Sequence, residues 1–223
     1  MLEMLVLVSA SVFLYQQISR LRAKSTSQAL APKKVSQQLL QMSEFADRLY
    51  AEGKWLAAEK AYLKVLGLDH KNIVAYSHLG IIYSAQKNMA DSVECFEIAV
   101  RLKPSAATLQ NLGMAYLENK NCMKSIVAFE KSIAMEPNAQ RYIGLSKAQK
   151  KLHDNANVVT SLEKAVELDD SKKVLQLLAD AYDEVGRTND ATGIYRRIHE
   201  IDPKDPEAAR WIGIHLPKAR SKA

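Results

Sequence analysis

The chain has 223 residues, of which 48% are hydrophobic and 25% charged; these values are typical of a globular protein and exclude a disordered or fibrous chain. Its 8 Gly and 6 Pro are too few for a turn-rich β protein. The formal net charge is +6, but the excess of basic residues lies in residues 1–38 and 217–223, and the body between them is nearly neutral. This distribution argues against nucleic acid as a partner, since that function needs Lys and Arg gathered on a folded face.

An apolar run occupies residues Met4 to Tyr15, where ten of the twelve side chains are apolar. A bilayer usually takes about 17–25 residues, a length that the run reaches only if all residues from Met1 to Ile18 are counted. Three interpretations compete: a cleaved secretory signal, an uncleaved membrane anchor, and a buried helix that caps the fold. The signal is disfavoured because no Lys or Arg precedes the run, and the cap because the polar stretch that follows resembles a linker.

Basic residues flank the apolar run on its C-terminal side only, at Arg20, Arg22 and Lys24. The positive-inside rule then places the rest of the chain in the cytoplasm. We therefore predict a single-pass membrane protein with an anchor over residues 1–19, a polar basic linker over residues 20–38, and the remaining domain facing the cytoplasm.

The body of the chain repeats itself every 33 or 34 residues. The apolar residues that open the five units are Met42, Tyr76, Leu109, Tyr142 and Leu175. Sixteen positions after each of them stands a small or β-branched residue, and four positions further stands a large apolar one. These large residues are Tyr62, Phe96, Phe129, Leu162 and Tyr195. Five units in phase at three positions indicate a solenoid of stacked repeats.

Apolar residues within each unit recur at steps of three and four, which predicts two amphipathic helices per unit. A small residue in each first helix should let the second helix approach closely, with the large apolar residue of the second helix beside it. The small residues are Ala46, Gly80, Gly113, Ser146 and Ala179. Proline stops a helix at little cost when it follows the last turn. The prolines expected to do so here are Pro104, Pro137 and Pro203.

The pattern resembles the tetratricopeptide repeat, W-x₂-L-G-x₂-Y followed by A-x₃-F and P. The second, third and fifth units match best, and the fourth departs at Gln149, Val158 and Asp170. The resemblance implies an all-α fold, a right-handed α-solenoid of about five helix pairs over residues 39–205. A capping helix over residues 206–216 and a basic tail over residues 217–223 complete the predicted domains.

Motifs for catalysis and cofactor binding are missing from the sequence. It contains no phosphate-binding glycine loop, no nucleophile elbow and no zinc-protease motif. The five histidines are scattered without the spacing of metal ligands. We therefore predict no enzymatic activity, no catalytic residue, no metal or other cofactor, and no small-molecule substrate.

The family usually binds an extended peptide or a helix on the concave face that its first helices line. The resemblance implies a partner-binding groove whose candidate residues are Tyr50, Ser77, Ile81, Gln110, Asn111, Met114, Leu117, Lys147, Lys150 and Lys151. The apolar members come first, the lysines follow, and the last unit contributes Gln176 with an acidic group of Asp180, Asp183 and Glu184. This order suggests a partner with an apolar segment followed by an acidic one; alternatively, the lysines are only a solvated helix face.

Some family members clamp the C-terminal carboxylates of chaperones with Lys, Asn and Arg side chains. Asn111 stands at one clamp position, but Ser77, Ile81, Gln140 and Ile143 occupy others, so a chaperone-tail receptor is disfavoured. The sequence predicts a non-enzymatic scaffold or assembly adaptor, tethered to a membrane, that binds a partner protein or peptide in its groove. The alternatives are an envelope or pilus assembly factor outside the cytoplasm, and a regulatory subunit of an enzyme complex.

Overall fold

The computed structural model describes residues 32–213, and within that range it consists of helices with no β-strand. The predicted all-α fold class is therefore confirmed. The eleven helices of this range are α1 (Pro32–Ala51), α2 (Trp55–Leu68), α3 (Ile73–Ala85), α4 (Met89–Leu102), α5 (Ala106–Glu118), α6 (Cys122–Met135), α7 (Ala139–Lys151), α8 (Asn155–Leu168), α9 (Lys172–Glu184), α10 (Thr188–Ile201) and α11 (Pro206–Trp211).

The helices fall into two compact units, and each packs its helices in chain order. The first unit ends at Asn119 and contains α1 to α5, where each helix contacts the next one along the chain. The second unit begins at Lys120 and contains α6 to α11, with the same sequential contacts. Packing of each helix against its chain neighbours is the arrangement that a repeat array requires, because one amphipathic pair cannot bury its apolar side alone.

Close contacts between small residues and aromatic rings explain part of the repeat pattern. A Cβ atom on Gly80 of α3 would lie only 2.7 Å from the ring of Phe96 in α4, so the predicted need for a small residue at this position is confirmed. The hydroxyl of Ser92 in α4 also donates a 2.8 Å hydrogen bond to the Gly80 carbonyl. In the second unit, the ring of Phe129 in α6 packs against the backbone of Gly144 in α7, a glycine that is not among the predicted small residues.

Each turn from a first to a second helix contains a residue with a left-handed backbone. These residues are Gly53, Lys87, Lys120, His153 and Gly186, with φ between 58° and 75°. At Lys87, the amides of residues 87 and 88 donate to the carbonyls of Ser84 and Tyr83, which is the pattern of a Schellman cap. Only two of the five residues are glycines, so composition alone did not indicate these turns.

The ends of the second helices agree with the proline pattern, because α4, α6 and α10 stop before Pro104, Pro137 and Pro203. Helix α11 then begins at Pro206, where the predicted capping helix begins. The carboxylate of Asp205 caps it by accepting hydrogen bonds from the amides of Glu207 and Ala208. The Trp211 ring of α11 stacks on Tyr195 of α10, with ring centroids 5.0 Å apart.

The predicted linker over residues 20–38 is corrected at its C-terminal end. Helix α1 starts at Pro32, inside the segment predicted to be a linker, and is 20 residues long, whereas α3, α5, α7 and α9 have 13.

Helix α7 has the same 13 residues as the other first helices after α1, despite the departures of the fourth repeat from the pattern. The buried side chain of Gln149 accepts a 2.8 Å hydrogen bond from Ser161 of α8, which satisfies a polar group at a position where the repeat usually has tyrosine.

The membrane prediction is not supported. Within residues 32–213, none of the helices combines the length and the apolar character needed to cross a bilayer. The prediction of a single-pass membrane protein with its repeats facing the cytoplasm is wrong on this finding. The anchor was assigned to residues 1–19, which lie outside the described residues, as does the basic tail over 217–223.

Candidate functional site

A pocket between α3 and α5 brings together three of the predicted groove residues. Ile81 of α3 and Asn111 and Met114 of α5 line a depression of about 270 Å³. We call it the groove pocket; its remaining lining residues are Ser84, Ala85, Phe96 and Ala115. The walls are mostly apolar, and Phe96 reaches the pocket from the second helix of its pair. The groove pocket is therefore suited to an apolar side chain.

Polar groups at the groove pocket come from Asn111 and Ser84. The Ser84 hydroxyl donates a 2.5 Å hydrogen bond to the Glu118 carboxylate, which joins α3 to α5 across one repeat period. Asn111 is half-buried, and its amide makes no hydrogen bond to another residue in the range 32–213. An amide group offers two donors and an acceptor. It is thus placed to pair with the backbone of a bound segment.

Tyr50 belongs to a different part of the first unit, an aromatic cluster between α1, α2 and α3. Its ring stacks on the imidazole of His78, with centroids 4.4 Å apart, and meets the edge of Trp55 at 5.3 Å. The Tyr62 hydroxyl donates a 2.7 Å hydrogen bond to the Asp47 carboxylate and also contacts Nδ1 of His78. Tyr50 is therefore held in place by its neighbours.

The aromatic cluster shifts the titration of its polar members. Burial lowers the pKa of His78 below its usual value, against the opposing effect of the Asp47 carboxylate, whose Oδ1 lies 3.5 Å from Nδ1. Burial and the hydrogen bond to Asp47 together raise the pKa of Tyr62 far above that of free tyrosine. His78 is thus held in its neutral form at a pH where free histidine begins to take up a proton.

This shift predicts that the stability of the first unit depends on pH through His78. Below about pH 6.5 His78 takes up a proton in the unfolded chain more readily than in the folded one, because its pKa is lower in the folded protein. The contribution of neutral His78 to the free energy of unfolding is therefore fully present above that pH and falls as the pH is lowered. Urea unfolding at pH 7.5 and 5.5 should show a smaller loss for His78→Gln than for the wild type. The exposed His70 gives the matched control, and a His70→Gln variant should keep the wild-type loss. Equal losses in all three proteins would contradict the prediction.

The three lysines of the predicted groove lie on α7 in the second unit, and all are exposed. Lys150 forms a 2.5 Å ion pair with Glu184 of α9, the last of the residues predicted as an acidic group. Both side chains are about half exposed, so water weakens the pair. Lys147 and Lys151 have no ion-pair partner among the described residues. Of the three lysines, these two are therefore the ones available to bind a carboxylate of a partner.

The remaining predicted groove residues do not line the groove pocket. Ser77, Gln110 and Leu117 are half-buried on α3 and α5. Sequence reasoning did not single out Phe96 as a groove residue, because it assigned this ring to the core only. It also missed His78, which lies two positions after the opening residue of its unit. No set of three His, Cys, Asp or Glu side chains in the described range could hold a metal ion.

Comparison with known proteins supports the assignment of the repeat. Residues 73–105, which span α3 and α4, match the family described as the tetratricopeptide repeat. No curated protein matches the sequence. The resemblance inferred from the residue pattern is therefore confirmed for this part of the chain by the family match, and for the fold by solved structures.

Several solved structures share the fold. A crystal structure of MamA is 23% identical, with a TM-score of 0.67 over 73% of this chain and 96% of that one. MamA from Desulfovibrio magneticus RS-1 is 17% identical, with a TM-score of 0.69 over 75% and 97% of the two chains. YrrB, described as a TPR protein with an unusual peptide-binding site, is 15% identical, with a TM-score of 0.66 over 84% of this chain and 100% of that one. The fold is therefore a tetratricopeptide-type α-solenoid.

Proposed function

We propose that this chain is a protein-interaction scaffold that binds an apolar stretch of a partner peptide or helix in the groove pocket. The observation that carries the proposal is the convergence of Ile81, Asn111 and Met114 on one depression between neighbouring first helices. The fold supports it, because stacked helix pairs offer extended surfaces that repeat proteins use to bind partners. YrrB, which is described as having an unusual peptide-binding site, shares the fold and is consistent with it.

The size of the groove pocket favours a side chain over a whole small molecule. Sites for small ligands enclose about 300–1,000 Å³, so a volume of about 270 Å³ is below that range. Burying one Leu, Ile, Phe or Met side chain is worth about 1.5–3 kcal/mol. One such anchor gives modest affinity, and hydrogen bonds from Asn111 to the peptide backbone would add to it and fix its direction.

Peptides selected from a phage-displayed random library on the purified protein provide the test. We expect the selected sequences to share a large apolar residue, and binding measured by calorimetry to weaken at least about tenfold in Met114→Glu, because a buried unpaired charge is costly. Val74 is an exposed apolar residue of α3 that does not line the groove pocket, so Val74→Glu is the matched control and should bind as the wild type does. Equal affinity of all three proteins would contradict the proposal.

The lysines of the second unit form a separate part of the proposal, a surface for carboxylates. Lys147 and Lys151 are exposed and carry the positive charge that this role needs. Any acidic peptide from the same selection should bind less tightly to Lys147→Glu, and its affinity should fall as salt is added. If neither the substitution nor the added salt changed the affinity, the lysines would be only a solvated helix face.

A further inference from the structure

The first helix pair exposes an apolar face that the equivalent positions of the next pair bury. Phe45 of α1 is 51% exposed, whereas Leu79, one repeat later on α3, is only 1% exposed. Met42 and Leu49 are half-buried, whereas their equivalents Tyr76 and Tyr83 are buried. The difference has a simple cause: α2 packs against α3, and no helix within the described range precedes α1.

This surface is a depression between α1 and α2, with a volume of about 500 Å³. We call it the α1–α2 face; its apolar lining consists of Met42, Phe45, Leu49, Ala57 and Ala61. Lys60 and Lys64 of α2 supply its charged side chains. The residues of α1 on this face are equivalent to residues of α3 that α2 covers. The α1–α2 face therefore has a shape that could accept one further helix.

The chain has one stretch outside the described residues that fits such a face. The 31 residues before α1 include the apolar run Met4 to Tyr15, which as a helix would be about 18 Å long, close to the roughly 21 Å of α2. Residues 16–31 could span at most about 50 Å, enough to lead the run back along α1. Glu3, directly before the run, is the only charged side chain before Arg20, and its charge is opposite to that of Lys60 and Lys64.

We propose that residues 4–15 of this chain bind the α1–α2 face of the same molecule, in the place that a preceding repeat helix would occupy. A tethered segment acts at an effective concentration of the order of millimolar. At micromolar protein it therefore displaces the same segment of a second copy. The α1–α2 face is separate from the groove pocket, so a test of one site does not decide the other.

Photo-crosslinking of the full-length chain tests the proposal. A benzophenone amino acid replaces Phe45 in one variant and the adjacent residue Glu44 in the control. Both positions are exposed and adjacent in the sequence, but only Phe45 lines the α1–α2 face. After irradiation, mass spectrometry should find crosslinks to residues 4–15 at least about five times more often from position 45 than from position 44.

A mixture of light and ¹⁵N-labelled chains identifies the molecule that supplies the segment. The crosslinked product from position 45 should contain only one isotope, because both ends belong to the same chain. Mixed-isotope products would show that a second copy occupies the face and would overturn the proposal. Equal yields from positions 44 and 45, or no crosslinks to residues 4–15, would overturn it as well.

Discussion

Replacing Phe96 by alanine is expected to lower the free energy of unfolding of the first unit by about 3–5 kcal/mol. The side chain is only 3% exposed, and its ring fills the space against the backbone of Gly80, where a Cβ atom would come within 2.7 Å. Because α3 and α4 are fixed by their own backbone hydrogen bonds, they cannot close fully over the space that the ring leaves. The variant therefore loses both the burial of the ring and the contacts around it.

Urea unfolding, followed by hydrogen exchange of the α3 and α4 amides, measures this loss. Val74→Ala is the matched control, because it also removes an apolar side chain from α3 but one that is 54% exposed, and its effect should stay within about 0.5 kcal/mol. Phe96→Leu should fall between the two. A loss below about 1 kcal/mol for Phe96→Ala would show that the ring contributes little to the stability of the first unit.

Phe96 contributes to the proposed binding as well as to stability, because its ring also lines the groove pocket. Phe96→Leu keeps an apolar wall but changes its shape, so this variant should retain the fold and still bind the selected peptides less tightly. Met114→Glu acts on binding through charge. The two variants together separate a change in pocket shape from a change in pocket polarity.

The parts of the fold that the sequence predicted are those set by apolar spacing. The positions of Tyr62, Phe96 and Tyr195 followed from the repeat, and all three are buried. Such positions are predictable because burial of one side of a helix imposes its period on the sequence. The left-handed turn residues Lys87 and His153 were missed, because glycine is the residue that usually marks such a turn and neither position holds one.

Partners of charged and aromatic side chains were harder to predict. The lysine group on α7 was visible in the sequence, but the ion pair of Lys150 with Glu184 was not, although the two residues are 34 positions apart, close to one repeat period. The stack of Tyr50 on His78 was missed for a similar reason, since Tyr50 was assigned to the groove by position alone. Spacing predicts which residues share a face, whereas rotamers and neighbours decide which of them meet.

Glycine positions in the second unit allow the close-packing argument to be tested with identical substitutions. A Cβ atom on Gly144 of α7 would overlap the ring of Phe129, a residue that is fully buried. Overpacking of this kind typically costs about 1–3 kcal/mol, against a gain of about 1 kcal/mol in helix propensity. We expect Gly144→Ala to destabilise the second unit by up to about 2 kcal/mol, measured by urea unfolding and by hydrogen exchange of the α6 and α7 amides.

Gly193 of α10 is the control, because a Cβ atom there would meet nothing within 4 Å. Gly193→Ala should therefore stabilise the same unit by up to about 1 kcal/mol, so one substitution has opposite signs at two helical positions. Because leucine lacks the ring, Gly144→Ala should cost less or even stabilise when it is made in a Phe129→Leu background. A cost that is the same with and without the ring would show that the contact with Phe129 is not the reason for glycine at position 144.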